Sequence, residues 1–215
     1  MTTVRRAWIP TTARALACAA LLGAPAGLVG QAIAVAPVDV TASASVSVDV
    51  AALAEAVRVT VMVGVMERGF TLAERSPAGA LLAKAGQLAS GGAVIYSDEN
   101  LGRTLRTAVS VDSGRFSVTL RLVGSRNDII ARDQGEGRLA DAHAILLGLQ
   151  APVMPTLSVA PRPQTPLPLG EFESFGFALL ALDRGQTDRA FEILRRIAAA
   201  FPDFLPAALL LRGAR

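Results

Sequence analysis

Half of the chain's 12 prolines stand within Ala151–Gly170 (APVMPTLSVAPRPQTPLPLG), and that clustering sets how the rest can be organised. Each proline removes an amide donor and holds φ near −65°, so repeated proline favours a semi-stiff, polyproline-like segment over helix or sheet. The spacing therefore predicts a linker at 151–170. Ahead of it, residues 35–150 are enough for one compact domain with its own core. Behind it, residues 171–215 are enough for a small all-α helical hairpin and part of a third helix.

The first 34 residues form a separate unit. Arg5, Arg6 and Arg14 are their only charges. Ala15–Gly30 is an uncharged apolar run, and Gln31-Ala32-Ile33-Ala34 ends in a small-x-small pattern. Basic start, apolar run and small-residue end are the order of a secretory signal, with the cut expected between Ala34 and Val35. Placing it after Ala36 would put Pro37 next to the cut. The apolar run is shorter than the ~20 residues of a transmembrane helix. An uncleaved anchor is the alternative. Arg5-Arg6-Ala7-Trp8 matches a twin-arginine signal only loosely, because Val4 replaces the usual Ser/Thr. Cys18 follows Ala15-Leu16-Ala17, where a lipoprotein signal wants a Leu-like residue three before the Cys. Cys18 is read as leaving with the signal, and lipidation is the alternative.

This reading changes the meaning of the composition. The chain carries 21 Lys and Arg against 18 Asp and Glu, a net +3. Without the three leader arginines the two signs balance, so charge argues for no nucleic-acid partner. At 52% hydrophobic and 18% charged residues, the chain is not a disordered one. A single Cys excludes an intrachain disulfide, and one Cys with one His argues against a His/Cys zinc site.

Val38–Val50 alternates apolar and polar residues strictly, which predicts a strand with one wet face. Ala51–Arg68 reads as a helix stopped by Gly69. Phe70–Glu74 reads as a short strand, and Ser76-Pro77 as the cap and first residue of a helix over Ala78–Leu88. Strands follow at Ala93–Ser97, Thr104–Val111, Phe116–Val123 and Ile129–Asp133, then an amphipathic helix at Leu139–Leu149. Around Asp112-Ser113-Gly114, pairing Val111 with Phe116 brings the apolar faces of both strands together, while pairing Val111 with Arg115 separates them. That argues for a four-residue loop, Asp112–Arg115. The class is α+β: a mixed, partly antiparallel sheet with helices on one side, followed by the helical hairpin.

Phe70-Thr71-Leu72-Ala73-Glu74-Arg75-Ser76, followed by Leu81-Leu82, resembles the F-x-x-x-E-R-x-x-L-x-x-L-L-x-E signature of the curli-assembly CsgG-like family. Ala93-Val94-Ile95-Tyr96 and Val118-Thr119-Leu120-Arg121-Leu122-Val123 stand where that family continues with strands. The likeness covers about Val38–Gly137. Ala78 stands where the family has Leu, and Lys84 where it has Glu. There is no room for the family's long membrane-spanning insertions, so the resemblance implies the periplasmic domain and not the pore. Phe70 and Leu72 are expected in the core, with Glu74 and Arg75 capping or bridging a strand end. In the tail, Ala178, Gly185, Ala190, Leu194 and Pro202 are spaced as in one tetratricopeptide repeat, which implies helices Phe172–Arg184, Thr187–Phe201 and Phe204–Arg212. The repeat's usual Trp and Tyr are absent. One repeat cannot bury both its faces, so it must pack on its own domain, another copy or a partner.

No constellation for chemistry emerges. Asp141-Ala142-His143 is not a triad, because residues two apart on a helix point differently. His143 is expected to be a partly exposed helix residue. Gly91-Gly92 and Gly135-Glu136-Gly137 match no nucleotide fingerprint. Asp98-Glu99 reads as a solvated turn. Arg103, Arg106, Arg115, Arg121, Arg126 and Arg132 could form a local anion patch, and are read as solvated strand edges that discourage edge pairing. Catalytic, metal and cofactor residues are expected to be none. The chain reads as an exported, non-enzymatic envelope protein of the periplasm, free or outer-membrane associated, with no transmembrane span once mature. It is expected to assist assembly or secretion of a surface structure, contacting envelope proteins or its own copies through the C-terminal helices. The alternative is a generic periplasmic tetratricopeptide scaffold or adaptor without a secretion role.

Overall fold

The computed structural model describes residues 32–44, 46–73, 76–90, 102–154 and 162–215, with only the backbone at 87–90. Among these residues it is an α+β fold with a six-stranded mixed sheet and six α-helices. The strands are β1 (Ala32–Val35), β2 (Asp39–Ala42), β3 (Thr71–Ala73), β4 (Arg103–Asp112), β5 (Arg115–Gly124) and β6 (Ile129–Arg138). The helices are α1 (Val50–Glu67), α2 (Pro77–Ser90), α3 (Ala142–Val153), α4 (Leu169–Asp183), α5 (Thr187–Ala200) and α6 (Leu205–Gly213). The sheet order is β3-β1-β4-β5-β6, with β2 also pairing β4. Pairing is parallel from β3 to β4 and antiparallel from β4 to β6.

The alternating stretch does not form one long strand. β1 runs beside Arg103–Leu105 and β2 beside Ala108–Val111, so both share one edge of β4, and Pro37 lies in the gap between them. The pairing runs out where β4 does: the Ser43 amide donates to the Val111 carbonyl at 3.0 Å, and β4 ends at the next residue, Asp112. The chain turns instead, and the Asp49 carboxylate accepts the Ala52 amide at 2.9 Å to start α1. The Asp49 amide also donates to the Glu173 carboxylate of α4 at 2.6 Å. Asp49→Ala is therefore expected to cost about 1 kcal/mol in urea unfolding, the usual loss of an N-cap.

The helix punctuation read from the sequence is present. Gly69 (φ +86) closes α1, with its amide on the Met66 carbonyl and that of Phe70 on Val65. Gly185 (φ +72) closes α4 in the same way, its amide on Leu182 and that of Gln186 on Ala181. Both patterns satisfy carbonyls that a helix end leaves unpaired, and both need the left-handed backbone that glycine tolerates. The Ser76 hydroxyl accepts the Gly79 amide at 3.1 Å and starts α2.

The expected hairpin register is found, with Val111 opposite Phe116, but the loop is shorter. Asp112 and Arg115 also pair, leaving Ser113 (φ +46) and Gly114 (φ +80) as a two-residue turn. Positive φ at both positions matches the right-handed twist of the strands. β6 extends to Arg138, beyond the expected Asp133, through Gly135-Glu136-Gly137. A Cβ at Gly135 or Gly137 would strike the Ile145 side chain, so the glycines let α3 lie close on β6. The expected strand Ala93–Ser97 lies outside the described residues.

β4 and β5 bury Leu105, Val109, Val111, Phe116, Val118, Leu120 and Leu122 on one face. Helices cover that face, and on the other Arg106, Ala108, Arg121 and Arg132 are exposed. α1 is buried along most of its length, since the sheet lies on one side of it and the tail helix α4 on another. The tail thus packs on its own domain. A Cβ at Gly176 of α4 would overlap the Ala52 carbonyl, and one at Gly213 of α6 the Leu81 carbonyl.

The described end of the proline-rich stretch lies along the domain. Gln164 donates to the Glu67 carboxylate at 2.8 Å, and Leu167 is buried. Next to it, Arg68 donates through Nε to the Met154 carbonyl at 3.0 Å and through Nη1 to that of Gly64 at 3.0 Å. Burial pushes the Glu67 pKa up and the Arg68 pKa down. No helix among the described residues is long and apolar enough to cross a membrane.

Candidate functional site: the open face of the sheet

The hairpin register determines what stands on the open face. With Val111 opposite Phe116, Arg106 falls opposite Arg121. In the next pairing Arg121 falls opposite Arg132. Three exposed arginines on three adjacent strands therefore form one row across the sheet. Like charges directly opposite one another weaken a sheet, by some fraction of a kcal/mol per pair. Among the described residues no carboxylate forms an ion pair with any of the three. Arg132 donates to Gln134 at 3.3 Å. Asp39 of β2 lies opposite Ala108, one step along this face from Arg106.

The row has an apolar flank. Ile129 and Ile130 open β6 and are 57% and 46% exposed. A bulge in the β5–β6 pairing falls beside them, between Leu122 and Val123. Farther along the face Arg115 stands opposite Arg138, but their charges are partly answered. Glu136 lies 3.9 Å from Arg115, and Asp141 holds Arg138 at 2.9 Å. Among the described residues, the row without a carboxylate ion pair is thus the one toward the two isoleucines. Cationic planar groups next to exposed aliphatic surface suit recognition of an acidic protein surface, because arginine is weakly hydrated and gives up its water readily.

The other residues singled out from the sequence lie elsewhere. Ala34 and Val35 are in β1. Phe70 and Leu82 are buried in the core, and Leu81 is half-buried against α6. Glu74 and Arg75 lie outside the described residues. Ala178, Ala190 and Leu194 are buried within the α4–α5 hairpin, Gly185 is its turn, and Pro202 is exposed between α5 and α6. His143 is not partly exposed: it is buried. Its Nδ1 accepts the Leu167 amide at 2.7 Å, and its ring stacks on Phe172 with centroids 4.7 Å apart. It ties the tail to α3. Among the described residues no group of three His, Cys, Asp or Glu could hold a metal ion. Sequence reasoning named Arg106, Arg121 and Arg132 but not their alignment, and it missed Ile129 and Ile130, which it read as an ordinary strand start.

No family model and no curated protein matches the chain. Among solved structures it is similar to the C-terminal domain of LpoB from Salmonella enterica, at 15% identity and a TM-score of 0.34. The match covers 53% of this chain and 87% of that one.

Proposed function

We propose that this is an exported, non-enzymatic envelope protein that assists assembly or secretion of a surface structure by contacting an acidic protein partner through the arginine row and Ile129–Ile130. The carrying observation is the row itself: Arg106, Arg121 and Arg132 are in register, exposed and without carboxylate partners among the described residues. The resemblance of Phe70–Leu82 to the curli-assembly family adds the direction of the role. α4 and α6 place their glycines against α1 and α2, so those faces are already covered.

Arg121→Gln separates this reading from a purely structural one. Removing the central charge relieves repulsion with both neighbours, so stability is expected to rise by a few tenths of a kcal/mol. Cross-linking of the envelope partner, through a photoreactive residue placed at Ile130, is expected to fall at least tenfold. Unchanged cross-linking in the Arg121→Gln protein would remove the row from the function.

A further inference from the structure

We propose that the exported precursor is cut upstream of β1, at the Ala26–Gly27 bond, and not after Ala34. This rests on the reading of the chain as exported and moves the site that the sequence alone suggested. β1 is an interior strand. Ile33 stands between Leu72 of β3 and Arg103 of β4, and Ala34 between Ala73 and Thr104. Ile33 and Val35 are both buried in the core.

A cut after Ala34 would remove three of the four β1 residues, leaving β3 without its described neighbour. It would also leave the new terminal ammonium on Val35, a residue of the hydrophobic core paired with Leu105 of β4. The alternative small-x-small frame Gly30-Gln31-Ala32 fails for the same reason, since it would leave the ammonium on fully buried Ile33.

Ala24-Pro25-Ala26 is the small-x-small frame that spares the strand. It follows the apolar run Ala15–Leu22 at the spacing a signal requires and still leaves Gly27–Gln31 ahead of β1. Cleavage is hydrolysis. Water adds across the Ala26–Gly27 amide, leaving a carboxylate on Ala26 and an ammonium on Gly27, ahead of β1 in the sequence.

The test is N-terminal sequencing and intact mass of the full-length gene product from fractionated cells. The expected result is a chain starting at Gly27 in the envelope fraction, with precursor accumulating for Ala26→Tyr. An envelope chain starting at Ile33 or Val35 would overturn the site while leaving export intact. A chain still starting at Met1 in the cytoplasmic fraction would overturn both. Purified chains starting at Gly27 and at Val35 give a second readout. The first is expected to unfold cooperatively and the second to show no cooperative transition. Equal midpoints for the two would refute the inference.

Discussion

Gly176→Ala is expected to destabilise the protein by about 3 kcal/mol, although the same change in an open helix stabilises by up to about 1 kcal/mol. The reversal comes from what the new methyl meets. Gly176 faces the Ala52 carbonyl of α1, and backbone cannot swing aside as a long side chain can. α4 must therefore lift away, loosening Phe172, Phe175 and Leu179 in the core they share with α1. Gly148 of α3 is the internal control, because a Cβ there meets nothing within 4 Å. Gly148→Ala is expected to gain on the order of 0.5–1 kcal/mol. Urea unfolding of both variants checks the pair. If Gly176→Ala matched Gly148→Ala in sign, the tail would not be seated on α1.

His143 makes stability depend on pH with a defined sign. Burial between α3 and the tail pushes its pKa from 6.5 down to about 4. The folded state therefore holds the ring neutral while the unfolded chain protonates it below about pH 6.5. Stability is highest above pH 6.5 and falls as pH drops from there towards 4, by on the order of 3 kcal/mol from this group. Glu67 acts in the opposite sense. Its raised pKa means the folded state takes up a proton more readily than the unfolded one, so its contribution rises as pH falls. His143→Asn keeps an acceptor for the Leu167 amide and removes the titration. The difference between wild type and this variant, followed by thermal unfolding from pH 7 to 4, isolates the histidine. A parallel decline in the two proteins would show that the ring is not the source.

Much of the candidate site is legible in the sequence. Matching apolar faces require Val111 opposite Phe116, and that single pairing places Arg106 opposite Arg121 by the geometry of an antiparallel ladder. The position of Arg132 is not legible there, because the β5–β6 register depends on a bulge that leaves no local signal. The exposure of Ile129 and Ile130 is hidden for a related reason. An isoleucine pair at a strand start reads as core until the strand is known to be an outer one in the sheet order.

The histidine is misread from sequence because helix periodicity reports one neighbouring surface at a time. α3 meets the sheet with one face, and the tail covers His143 on another. The fate of Val38–Val50 has the same origin. Alternation shows that a segment suits a strand, while pairing depends on how far the neighbouring strand extends.

The Ser76 cap, the turn glycines, the apolar faces and the α+β class were determined by the sequence alone, because each depends on residues within a few positions of one another. The tertiary structure decided that the proline-rich stretch divides the chain in sequence but not in space, and that the tail rests on α1 and α2 through Gly176 and Gly213. It also decided that Ala32–Val35, which a leader pattern claims by composition, forms an interior strand. Each of these depends on surfaces distant in the chain meeting at close range, and the local pattern of residues carries no record of that meeting.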